Sequence, residues 1–214
     1  MIIMEKVKGY ERKPIDNAKG MQEMMTVRKM STFAKIYETY HLHIIVTLLA
    51  YMAIIVFLAV IVPKFFVEKT QVIGESMENT LFNGDDIIIN KFAYRVNSPR
   101  RYDLIVFYPK GNKKSDYLVK RVIGVPGETI QIINGIIYID GKQVEEDYGK
   151  NAMVGAGMAS VPIRLGKGEY FVLGDNRLIS RDSRYSSVGI VKKEYIVGKV
   201  WLRIFPMDEF GAVK

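Results

Sequence analysis

The chain is expected to be mainly β: an antiparallel β-sheet domain of catalytic size with a small insertion, preceded by one N-terminal transmembrane helix. Three observations predict this. A single uncharged apolar stretch runs from Ile44 to Val62. The residues after it fall into short runs of Val, Ile, Phe and Tyr broken by Gly, Pro, Asn and Asp. Nothing beyond residue 64 sustains a long helical period. In 214 residues, 49% of them hydrophobic, there is room for one or two modest domains with a real core.

Residues 1–43 form a Met-rich polar tail, expected to be partly disordered, with a helix from about Val27 to Tyr40 leading into the apolar stretch. The 19 residues 44–62 span roughly 28 Å as a helix, close to the hydrocarbon thickness of a bilayer. A cleavable leader would carry a shorter apolar core nearer the start, so an uncleaved anchor is expected. Arg28, Lys29 and Lys35 before the span face Lys64 and Lys69 after it. That charge contrast favours a single-pass protein with a cytoplasmic N-terminus and residues 63–214 outside the cell membrane.

Strands are expected at Asp86–Asn90, Leu104–Tyr108, Leu118–Val125, Thr129–Ile139, Tyr170–Leu173 and Ile196–Phe205. Asn134-Gly135 marks a two-residue hairpin turn, because both of its central positions need positive φ. Asn83-Gly84, Pro126-Gly127 and Asp140-Gly141 mark further turns. Residues 142–168, poorly patterned, are expected to be a loop or small insertion.

The formal charge is +8, of which the first 43 residues hold +3. The rest is spread along strand-like segments without a basic stripe, which excludes a nucleic-acid partner and favours anionic membrane lipid. With no cysteine, there is no disulfide framework and no thiolate metal site. Neither a metal nor a cofactor is expected.

Both histidines, His41 and His43, precede the anchor. Across the membrane from the β-rich part, they exclude a Ser-His-Asp triad there. A hydroxyl nucleophile must then use another base. Lysine serves only if burial destabilises its charged form. On a strand, Leu118, Lys120 and Val122 share one face, with Val119, Arg121 and Ile123 on the other. Both faces are apolar, but a guanidinium cannot give up its proton, so Lys120 has the usable chemistry. Ser76 lies within GESMENTL, a Gly-containing loop segment.

Three segments in order carry a resemblance to one family. Gly74 to Leu81 resembles Gly-x-Ser-Met-x-Pro-Thr-Leu, Lys120 to Gly127 resembles Lys-Arg-Val-Ile-Gly-x-Pro-Gly, and Gly174 to Arg184 resembles Gly-Asp-Asn-Arg-x-x-Ser-x-Asp-Ser-Arg. These are the motifs of type I signal peptidases, and the short chain with one anchor looks like their Gram-positive branch. The resemblance, covering about 62–205, implies a serine endopeptidase that removes signal peptides from exported preproteins after Ala-x-Ala-like sites.

By this resemblance Ser76 is the nucleophile and Lys120 its general base. Ser180 would hydrogen-bond and orient the amine, and Asp182 and Arg184 would pair to hold that segment. The Ser76 N–H would serve the oxyanion hole; at Gly74 some relatives place a hydroxyl, so here a second donor must come from backbone or water. Val72, Met77, Leu81, Leu118 and Val119 are the expected lining of shallow pockets for a peptide added as a strand. Phe65 to Val67 is expected at the membrane interface. Two positions depart from the family pattern, Asn79 for proline and Tyr102 for glycine, marking a divergent member. The alternatives are a self-cleaving repressor-type protease, which the anchor opposes, and an inactive or specialised membrane-tethered assembly factor, which would be expected to have lost Ser76 or Lys120.

Overall fold

The computed structural model describes residues 17–213, which divide at Ala59/Val60 into two compact units. The tail's expected disorder falls partly on residues 1–16, outside the described ones. From Asn17 the chain is a single 50-residue helix, α1 (Asn17–Phe66), which starts ten residues before the Val27 expected for the helix leading into the apolar stretch. It contains a stretch long and apolar enough to cross a membrane, by length and composition. Its start escaped the sequence because the Met-rich segment has no apolar stripe, while Met, Lys, Gln and Glu are good helix formers all the same. Pro63, with no N–H to donate, lies in the last turn, where Lys64 also complements the helix dipole.

The second unit is built on two antiparallel sheets. Its strands are β1 (Val67–Gln71), β2 (Asp86–Asn90), β3 (Leu104–Phe107), β4 (Leu118–Gly124), β5 (Thr129–Ile133), β6 (Ile136–Ile139), β7 (Lys142–Gln143), β8 (Ile163–Arg164), β9 (Glu169–Leu173), β10 (Val191–Lys192), β11 (Ile196–Phe205) and β12 (Gly211–Ala212). The larger sheet runs β1-β2-β11-β3-β4-β9-β10, with β12 beside β11, and the smaller runs β7-β6-β5-β8. The expected run Thr129–Ile139 is the β5–β6 hairpin, with Asn134 at φ 52° and Gly135 at φ 79° in its turn. The insertion expected at 142–168 turns out to supply the two edges of this small sheet, β7 and β8, around a loop with a single 3-10 turn at Gly157–Ser160. Strand β1 was missed because Val-Glu-Lys-Thr-Gln has no apolar alternation, and β7, β8, β10 and β12 are too short to show a period.

Strand β4 lies inside the larger sheet, paired with β3 on one edge and β9 on the other. Its last five residues are all buried, as expected of a strand covered on both faces. Ile123, Phe171 and Leu173 of the large sheet pack with Ile130, Ile132, Ile137 and Ile139 of the small one. A second cluster gathers Val72, Met77 and Leu81 with Ile87, Ile89, Leu104, Val106 and Val200. Lys120 and Arg121, opposite Ile105 and Leu104, are thereby held in fixed register within a core strand.

Candidate active site

The connection between β1 and β2 presents Ser76. Its base is closed by the Val72 N–H donating to Asp85 O at 2.8 Å and the Gly84 N–H to Val72 O at 2.9 Å. After Ser76 the backbone makes one tight turn, with the N–H groups of Thr80 and Leu81 both donating to Met77 O. Met77 and Leu81 are its apolar pegs, 1% and 0% exposed. Ser76 itself is half-buried.

Lys120 Nζ reaches this loop from β4, donating to Ser76 Oγ at 2.7 Å and to Val119 O at 2.8 Å. Burial lowers its pKa to about 8, while the charges of Asp182 and Asp175 pull the other way. The amine is thus poised to be neutral in mildly alkaline solution.

The segment after β9 closes the site. Arg184 Nε and Nη2 donate to the two carboxylate oxygens of Asp182 at 2.8 and 2.9 Å, in a buried pair. The same Asp182 accepts the Gly174 N–H at 3.1 Å, and Arg184 Nη2 also donates to Arg177 O. Gly174 has no room for a side chain, since a Cβ there would lie 2.2 Å from Ser180 Oγ and 2.5 Å from Ser76 O. This close approach brings the 174–184 loop against Ser76.

Several expected residues sit differently from their predicted roles. Ser180 is beside the site, but its buried hydroxyl makes no hydrogen bond and does not bond Lys120; the amine takes the Val119 carbonyl instead. The Gly74 N–H is taken by Asn83 Oδ1 at 2.9 Å, so Gly74 brings no free donor. Val72, Met77 and Leu81 belong to the core, whereas Leu118 and Val119 are half-buried beside the amine. Asn79 has φ 99°, which a proline ring cannot reach, so the substitution allows a different turn rather than merely a looser one. Tyr102, at φ 71°, occupies a conformation that suits the family's glycine.

From the sequence Arg121 had no role beyond being excluded as the base, and Asp175 had none. Arg121 and Asp175, both fully buried, form a two-pronged ion pair, Nε to Oδ1 at 2.9 Å and Nη2 to Oδ2 at 2.7 Å. Arg121 Nη2 also donates to Thr80 Oγ1 at 3.0 Å, and Thr80 donates to Asp175. Asp175 stood in the third motif, and a charged residue in the apolar β4 run was the signal that a buried partner existed. Among the described residues no cluster of acidic and histidine side chains is arranged to hold a metal.

A loop hydroxyl and a desolvated amine of a core strand thus lie in contact, an arrangement whose chemistry suits a hydrolase. Residues 45–205 match the family described as signal peptidase, peptidase S26. Signal peptidase I P of Bacillus subtilis subsp. natto is 37% identical over 73% of this chain and 87% of its own length. Signal peptidase I of Bacillus caldolyticus is 42% identical over 69% and 85%, and signal peptidase IB of Staphylococcus aureus 36% over 70% and 84%. A crystal structure of a signal peptidase I from Enterococcus faecalis is similar at 32% identity over 48% of this chain and 96% of that one, with a TM-score of 0.39. The sequence matches are sufficient by themselves: this chain belongs to the signal peptidase family, and it is a hydrolase of the endopeptidase class.

Proposed function

We propose that this protein is a membrane-anchored serine endopeptidase that removes N-terminal signal peptides from exported preproteins, with Ser76 and Lys120 as its catalytic pair. The observation that carries the reading is the 2.7 Å contact between Ser76 Oγ and a buried Lys120 amine whose pKa is lowered to about 8. The neutral amine takes the Oγ proton as the oxygen attacks the scissile carbonyl, and returns it to the leaving amine. Water, deprotonated by the same amine, then releases the acyl group. The Ser76 N–H stabilises the oxyanion, and a second donor comes from elsewhere than Gly74. Asp182 and Arg184 hold the 174–184 loop, which carries Ser180 beside the pair.

The substrate lies as an added strand along the site. Leu118 and Val119 line its pockets, and Val72, Met77 and Leu81 form their floor. A floor of close-packed core side chains leaves shallow pockets, which suits Ala-sized residues one and three before the cut. Residues 44–62 of α1 cross the membrane, 1–43 are cytoplasmic and 63–214 lie outside, with Phe65 to Val67 at the interface. The membrane brings the site to emerging signal peptides.

Incubated with a preprotein peptide bearing an Ala-x-Ala site, the full-length protein in detergent should give two products whose masses place the cut directly after the second Ala. Cleavage at other bonds, unaffected by replacing both alanines with bulky residues, would remove the proposed specificity.

A further inference from the structure

Both departures from the family pattern touch the same residue. Asn79 Nδ2 donates to Tyr148 O at 3.2 Å, and the rings of Tyr102 and Tyr148 lie 5.1 Å apart. Tyr148 also stacks on the guanidinium of Arg121, whose Cζ lies 3.7 Å from the ring centroid. Asn79 and Tyr102 hold positive φ, a conformation costly to side-chain-bearing residues that persists only where the surroundings hold it. Here one tyrosine supplies the holding contact to both.

Tyr148 belongs to a strap, residues 146–151, fastened at both ends to the site's own loops. Before it, Glu146 accepts the Tyr148 N–H at 3.1 Å and forms a buried ion pair with Arg177. After it, the Lys150 N–H donates to Asp175 O at 2.9 Å, and Lys150 Nζ pairs with Glu78 at 2.8 Å. Every partner but Tyr102 sits within a few residues of Ser76, Lys120 or Ser180 in sequence. Strand β4, through the Tyr148 ring, and the loops of Ser76 and Ser180, through the strap's backbone and its flanking charges, are all joined to this one segment.

We propose that Tyr148 is a positioning residue, whose ring clamps Arg121 and Tyr102 while its carbonyl holds Asn79, so fixing the distance between the Ser76 loop and Lys120. This rests on the reading of Ser76 and Lys120 given above. The aromatic face does the clamping: it screens a buried cation from water and is attracted to it. A strap that acts on geometry rather than on substrate should, when lost, lower kcat and leave KM unmoved.

Three variants read with a preprotein peptide test this. Tyr148→Ala should lower kcat by about tenfold to a hundredfold, the scale of a displacement near 1 Å, with KM within about twofold of the parent. Tyr148→Phe, which keeps the ring and loses only the hydroxyl, should restore kcat. Tyr148→Leu, which fills the space without a π face, should remain low and decides the matter if the alanine variant does not fold. Parental kcat in Tyr148→Leu, equal impairment in Tyr148→Phe, or a raised KM at unchanged kcat would each overturn the clamp. Ser76→Ala in the same assay keeps the two readings apart. An active Ser76→Ala enzyme sinks the catalytic pair, whereas Ser76-dependent activity indifferent to Tyr148 sinks the clamp alone.

Discussion

Ser76→Ala should reduce kcat/KM for a preprotein peptide by at least about 10³-fold, because a nucleophile acting with its base as one unit cannot be replaced by the base alone. Lys120→Met should do the same. The two variants should differ in stability. Ser76→Ala removes one of two oxygen partners of a buried amine, so a fall of about 1 kcal/mol is expected. Lys120→Met replaces a group that is 2% exposed with an apolar side chain of similar length. It lifts the cost of burying an amine, and its Tm should be at or above the parent's. Thermal unfolding beside peptide cleavage checks both, and a Lys120→Met enzyme that still cleaves would remove the amine from the mechanism.

The second large effect is on the fold. Asp175→Ala leaves Arg121 buried without the carboxylate that accepts from its Nε and Nη2. Stripping one partner from a buried pair costs about 3–5 kcal/mol, which in a domain of this size lowers Tm by about 10 °C. Replacing both members, Arg121→Met with Asp175→Leu, should recover much of that loss, since neither charge is then stranded. A Tm for Asp175→Ala within about 2 °C of the parent would show the pair to be energetically idle.

The candidate pair was legible in the sequence for a negative reason as much as a positive one. With both histidines ahead of the apolar stretch and cysteine absent, an amine in an apolar strand was the base left for a serine, and the motifs singled out Ser76 and Lys120. The structure brings those two together. The strands with apolar alternation and the Asn134-Gly135 hairpin were legible too, because period and turn chemistry are local. What escaped depends on distance. Arg121 and Asp175 are 54 residues apart, and the strap of Tyr148 lies in Glu-Glu-Asp-Tyr-Gly-Lys, a polar stretch with no pattern. Met77 and Leu81 show the same limit from the other side: in a polar loop, a pocket wall and a core peg are written with the same apolar residues. Asn79 and Tyr102 stood out as departures, but only their φ values and shared neighbour give them a physical meaning.

In the proposed mechanism Lys120 works as a neutral amine. Its pKa is lowered by burial, so the protonated and inactive form dominates below pH 8 and the active form above it. The deciding measurement is kcat/KM for an Ala-x-Ala preprotein peptide between pH 6 and 10. It should rise by about tenfold per pH unit on the acid side and level off near pH 8. A profile flat across that range, or one that falls as pH rises from 6 to 8, would contradict the mechanism.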